Sequence, residues 1–144
     1  MGISYRTDDA GCAVSVWDGE ITTDVVRAHM AAVEADRRWV EAGCYVTDLR
    51  TVSAASAPSP VDVLAVADAF REQLSLSMRG RRWAIVAGDL VEHLTQFKRR
   101  VDEHDVVMMP FGTLEAACHW TGGDYEVIRQ SIHELRAEIR NREV

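Results

Sequence analysis

The run Trp83-Ala84-Ile85-Val86-Ala87 constrains the fold most. It has the length of a strand and no polar alternation, and Gly88 closes it. A strand of that kind needs cover on both faces, which is the situation inside a parallel sheet flanked by helices. Four other stretches fit the same sheet. Ile3–Arg6 alternates apolar and polar residues, and the turn cluster Asp8-Asp9-Ala10-Gly11 joins it to Cys12–Trp17 as a hairpin. Cys44–Leu49 and Val106–Phe111 are short apolar runs that end near Asp48-Leu49-Arg50 and at Gly112.

Helix signals separate these strands. Thr22 or Thr23 offers an N-cap with Asp24 in the first turn, and Val26, Met30 and Val33 form one stripe that Trp39 extends before Gly43. Ser59-Pro60 starts a helix carrying Val63, Ala67, Phe70 and Leu74. Asp89 caps another, with Leu90, Leu94, Phe97 and Val101 buried. Thr113 caps a short helix through Trp120, Gly122-Gly123 breaks it, and Asp124 caps a last helix. The order β-β-α-β-α-β-α-β-α-α predicts an α/β fold: a mixed β-sheet of about five strands, an N-terminal hairpin followed by βα units, and packed helices. Residues 1–123 form the α/β domain, and 124–144 form a C-terminal amphipathic helix that packs on the domain or in a dimer interface.

With 144 residues the chain supports a core without a metal or disulfide. Its net charge of −7 argues against nucleic acid as a partner. The basic clusters Arg37-Arg38, Arg79 to Arg82 and Lys98 to Arg100 are short and dispersed, and read as solvated groups near helix ends. No apolar run approaches a bilayer span, so no membrane partner is expected. The N-terminus lacks a signal-peptide pattern, and Cys12, Cys44 and Cys118 have no paired spacing, so the expected compartment is the reducing cytoplasm.

The segment from Cys44 to Pro60 carries a family resemblance. A strand ends in Asp48-Leu49-Arg50, and a Ser/Ala/Pro loop then leads to Ser59-Pro60. An early strand pair ends in Asp18-Gly19-Glu20-Ile21-Thr22, and Val107 to Phe111 leads to Thr113-Leu114-Glu115-Ala116-Ala117 and Trp120. In this order the pieces resemble the SpoIIAA-like fold of anti-anti-sigma regulators (STAS domains) and of a looser group of small bacterial proteins, over residues 3–121. The resemblance implies a regulatory, protein-binding module. It also implies a phosphoacceptor serine in the loop after the strand-end Asp. Counting from Asp48 places Ala57 at that position, preceded by Ser56, with no neighbouring acid or glycine. Ser56 is the candidate acceptor that remains, and Ser59 reads as a helix N-cap.

Catalytic chemistry finds little support. There is no Gly-x-Ser-x-Gly elbow, and Cys118-His119 are adjacent helical residues that point in different directions. The histidines His29, His93, His104, His119 and His133 are scattered, without His-x-x-x-His or Cys-x-x-Cys, so no metal and no cofactor are expected. One candidate ligand site follows from topology. The crevice beyond the carboxyl ends of parallel strands would gather Asp48, Arg50, Asp89 and Phe111, unless Asp48 and Arg50 form a structural ion pair. The C-terminal helix spaces Tyr125, Ile128, Ile132, Leu135 and Ile139 three, four, three, four, the seam of a coiled coil. That seam suits either the helix's own sheet or a two-fold homodimer. The leading expectation is a non-catalytic regulatory or protein-interaction module; the alternative is a small-molecule binder or enzyme using the crevice.

Overall fold

The computed structural model describes residues 2–53, 80–88 and 107–143. These form five strands: β1 (Gly2–Thr7), β2 (Cys12–Gly19), β3 (Cys44–Val52), β4 (Arg82–Val86) and β5 (Val107–Phe111). Among the described residues there are four helices: α1 (Thr23–Glu34), α2 (Arg37–Val40), α3 (Leu114–Thr121) and α4 (Tyr125–Asn141). The strands lie in sequence order in one mixed sheet. The β1–β2 hairpin is antiparallel, and β2, β3, β4 and β5 run parallel. The α/β class and the mixed five-strand sheet thus match the expectation from sequence. The helix starts at Ser59-Pro60 and Asp89, and the candidate residues Ser56 and Asp89, lie outside the described residues.

Strand alternation sorts the core into two layers. Ala13, Tyr45, Leu49, Trp83, Ile85 and Met108 face one way, where α1 supplies Val26, Met30 and Val33 and α2 supplies Trp39. Cys12, Val14, Val16, Cys44, Val46, Ala84 and Val86 face the other way, against Leu114, Ala117 and Cys118 of α3 and Ile128, Ile132, Leu135 and Ile139 of α4. The run at Trp83 is apolar on both faces because β4 feeds both layers.

Trp39 does not extend the first helix. The chain turns at Ala35, and Asp36 takes an extended conformation, its carboxylate accepting from the backbone N–H of Arg38 and Trp39. An Asp in that role starts a new helical turn, so Trp39 reaches the core from α2, with its ring 4.6 Å from that of Tyr45. β3 also runs past Leu49 to Val52, and β2 past Trp17 to Gly19, with an irregularity between Val16 and Asp18.

Thr22, Thr113 and Asp124 cap their helices as their sequence positions predict, each accepting from a backbone N–H of the first turn. The α3–α4 corner disfavours a side chain at both glycines. Gly122 sits at φ +77°, where a side chain is strained, and a Cβ on Gly123 would lie 2.5 Å from Ile128 Cδ1. The basic residues that open β4 are not simply solvated. Arg81 Nη1 donates to the carbonyls of Val40 and Ala42 and to Tyr45 Oη, at the end of α2. Arg82 Nη1 donates to Trp120 O at 2.6 Å, and its guanidinium lies 5.5 Å from the Trp120 ring at the end of α3. Neighbouring residues of a strand point to opposite faces, so this pair places a cation on the terminal carbonyls of one helix in each layer.

The seam of α4 lies on the chain's own sheet. Ile128, Ile132, Leu135 and Ile139 are each 2% exposed or less, and Tyr125 is half-buried. Leu135→Ala should therefore cost about 2–5 kcal/mol in chemical denaturation. Val127→Ala on the outer face of the same helix, where Val127 is exposed, should stay within about 0.5 kcal/mol.

Candidate functional site

Asp48 lies in the middle of β3, the central strand, two strands in from either edge of the sheet formed by the described residues. It shares one row with Val16 of β2, Val86 of β4 and Phe111 of β5. Topology thus does bring Asp48 and Phe111 to the same level of the sheet, but with Val86 between them, at roughly 10 Å from strand spacing alone. Arg50 follows two residues on, so it emerges on the same face, and Gly88 lies beside it: a Cβ there would be 3.7 Å from Arg50 Cγ.

The Asp48 carboxylate is wholly buried and fully engaged. Arg50 donates from Nε to Oδ1 at 3.0 Å, from Nη2 to Oδ2 at 2.9 Å, and from its backbone N–H to Oδ1 at 2.9 Å. Arg136 of α4 donates from Nη2 to Oδ2 at 2.7 Å and from Nε to Thr51 Oγ1 at 3.2 Å. Burial alone would raise the Asp48 pKa; the hydrogen bonds from Arg50 and the charges of Arg50 and Arg136 outweigh it and hold the carboxyl below its usual range. Asp48 is therefore a charged anchor, with its lone pairs committed to protein donors.

A second carboxylate repeats the pattern one strand over. Asp18 of β2 accepts from Arg140 Nε at 3.2 Å and Nη2 at 3.4 Å. Burial again opposes ionisation, and bonds from Thr51 and Arg140 prevail, so the Asp18 pKa is also lowered. Arg136 and Arg140 are one helical turn apart on α4, next to the buried Leu135 and Ile139. On the β1 side, Arg6 pairs with Glu134 and Glu138, and Ser4 Oγ donates to Glu138 Oε2 at 3.1 Å. The helix is held by ions along both flanks of its apolar seam.

The remaining candidates take structural positions. Phe111 is half-buried against Trp120, ring centroids 5.5 Å apart. Tyr125 Oη donates to Glu115 Oε1 at 3.1 Å near Arg50. Cys118 is buried and His119 exposed on successive positions of α3, as their helical phases require. His29 packs edge-on against Tyr5 and Trp17, and burial pushes its pKa down to about 4, so it is neutral at pH 7. Among the described residues no group of His, Cys, Asp and Glu could hold a metal ion. Arg136 and Arg140 belong to no sequence motif. Their place beside seam residues one turn apart is the signal that could have found them.

The chain matches no protein-family model and no curated protein.

Removing the anchor should be costly. Asp48→Ala leaves Arg136 and Arg50 beside an apolar hole, a loss of about 3–5 kcal/mol by analogy with broken buried pairs. The pH dependence has a definite sign. A carboxyl whose folded pKa lies below its unfolded value, near 3.8, adds stability above that unfolded value and loses it as pH falls through the folded pKa. Urea titrations between pH 7 and pH 2 should show wild-type stability falling below about pH 4 and a shallower fall in Asp48→Ala. An equal fall in both proteins would mean that Asp48 does not carry the acid sensitivity.

Proposed function

We propose that this chain is a non-catalytic, protein-interaction module of SpoIIAA-like fold, without the usual phosphoacceptor serine, that acts in the cytoplasm as a homodimer paired through β1. One observation carries the reading: the outer edge of β1 is open among the described residues and borders a groove of about 590 Å³.

The backbone of that edge is readable from the hairpin. Asp8 N–H donates to Cys12 O, so by alternation in an antiparallel pair Arg6 and Ser4 also turn their backbone groups to β2. Ile3, Tyr5 and Thr7 turn theirs outward. Arg38 Nη2 accordingly reaches Thr7 O from outside at 3.4 Å, and Thr7 Oγ1 is buried there without a hydrogen-bond partner. An edge of this kind accepts another strand.

The charge of the groove favours a second copy as the occupant. Tyr5 and Thr7 are among its lining residues, as are the acidic Asp36 and Glu138 and the basic Arg38 and Arg142. Mixed signs suit a self-complementary two-fold contact, in which each basic group meets an acidic one of the partner. Antiparallel pairing centred on Tyr5 sets Ile3 of one copy opposite Thr7 of the other, so all outward backbone groups find partners. The strand-end crevice has less support as a ligand site, because Asp48 and Arg50 satisfy each other there.

Sedimentation of the full chain from micromolar to hundreds of micromolar should show a dimer. Thr7→Pro deletes an outward N–H while leaving the β1–β2 ladder intact, and should shift the equilibrium to monomer by at least tenfold. Tyr5→Lys, which sets two like charges across the dyad, should do the same. A wild type that stays monomeric, or well-folded variants that dimerise like the wild type, would reject the reading.

A further inference from the structure

Cys12 and Cys44 are the first residues of β2 and β3 and stand directly opposite each other in the parallel ladder. Adjacent strands are about 4.8 Å apart, within the Cα separations of about 4.4–6.8 Å that a disulfide spans. Both side chains point into the layer beneath α3 and α4. Their sulfurs are 3.0 Å apart, so a movement of about 1 Å reaches the S–S bond length of about 2.05 Å.

We propose that Cys12 and Cys44 are an oxidative modification site, a thiol pair that hydrogen peroxide converts to a reversible intrachain disulfide. Both residues are free thiols in the structure. The oxidant must be small, because both are buried and the α3–α4 corner closes over Cys44, where a Cβ on Gly123 would lie 3.8 Å from its sulfur. The two thiols are not equivalent. The hydrogen bond with Cys12 holds the Cys44 pKa down against burial, whereas the same contact, and then burial, raise that of Cys12. Cys44 therefore ionises first.

The chemistry balances without a metal or cofactor. The Cys44 thiolate attacks one peroxide oxygen, the O–O bond breaks, and the departing hydroxide takes up the proton that Cys44 released. Cys44 is then a sulfenic acid and one water has formed. The Cys12 sulfur attacks Cys44 Sγ, the S–O bond breaks, and the hydroxyl leaves with the Cys12 proton as a second water. Two thiols are oxidised and one peroxide is reduced. The bond closes a loop across a sequence separation of 32 that contains α1 and α2, tying the starts of two adjacent strands. Cys118 lies in the same buried layer and is the competing partner.

The full-length chain is treated with hydrogen peroxide, denatured, alkylated and mapped by mass spectrometry. Two of its three cysteines should escape alkylation, and one peptide pair should join Cys12 to Cys44. The melting temperature without reductant should rise by on the order of 10 °C and return with dithiothreitol. Cys118→Ser should behave as the wild type does. Cys12→Ser should stop at a sulfenic acid on Cys44, trapped by dimedone. Three alkylated cysteines after treatment, a bond from Cys44 to Cys118, or a bond between two chains would each overturn the proposal. The wild-type and Cys118→Ser results decide it even where Cys12→Ser fails to fold.

Discussion

A carboxylate with no solvent exposure sits at the centre of this sheet, and the layers around it are arranged to keep it charged. Taking an ion out of water costs several kcal/mol, which only close and well-oriented partners recover. Asp48 obtains them from two directions. Arg50 reaches back along β3, and Arg136 reaches down from α4 across 88 residues of sequence. Because Arg136 must meet Asp48, the helix has one register over the sheet. Arg140 then falls on Asp18, while Ile132, Leu135 and Ile139 join the apolar residues of β2 and β3, Cys12, Val14, Val16 and Val46. Apolar burial supplies the attraction between α4 and the sheet, which is non-directional, and the ion pairs choose its position.

The opposite layer uses neutral groups for the same purpose. Ser15 Oγ and Thr47 Oγ1 lie 2.8 Å apart on neighbouring strands, and Trp83 Nε1 donates to Thr47 Oγ1 at 2.9 Å. Three buried polar atoms from β2, β3 and β4 thus satisfy one another inside an apolar layer, fixing which side chains face each other. At the start of β4, Arg81 and Arg82 bind the ends of a helix on either side. The central strands therefore carry both the core and the groups that orient the helices on it.

This arrangement bears on function through what it uses and what it leaves open. The charges at the carboxyl ends of the strands are taken up in holding α4. The apolar seam of α4 is taken up by its own sheet. The backbone of β1 faces outward beside a groove of mixed charge. The self-association proposed for that edge and the oxidation proposed for the thiol pair concern opposite sides of the hairpin, since β1 meets the groove while Cys12 lies on β2 facing β3. The two proposals therefore stand or fall independently.

Much of the fold was legible in local patterns. The strands at Ile3, Cys12, Cys44, Trp83 and Val107, the caps at Thr22, Thr113 and Asp124, and the break at Gly122-Gly123 all follow from alternation, helical period and the bonding needs of helix ends. Each of these depends on residues within a turn or two of one another. Trp39 was misplaced because Asp36 restarts the helix through its own side chain, a local event that the apolar stripe conceals. The pairing of Asp48 with Arg50 was one of the sequence's open alternatives; that Arg136 also meets Asp48, why Arg81 and Arg82 are not free in solvent, and that Cys12 and Cys44 touch were decided by tertiary structure alone. These contacts join residues far apart in the chain, and they exist because β3 lies between β2 and β4 with α4 packed across the hairpin. Strand order and helix placement are collective outcomes of packing, so no spacing within the sequence encodes them directly.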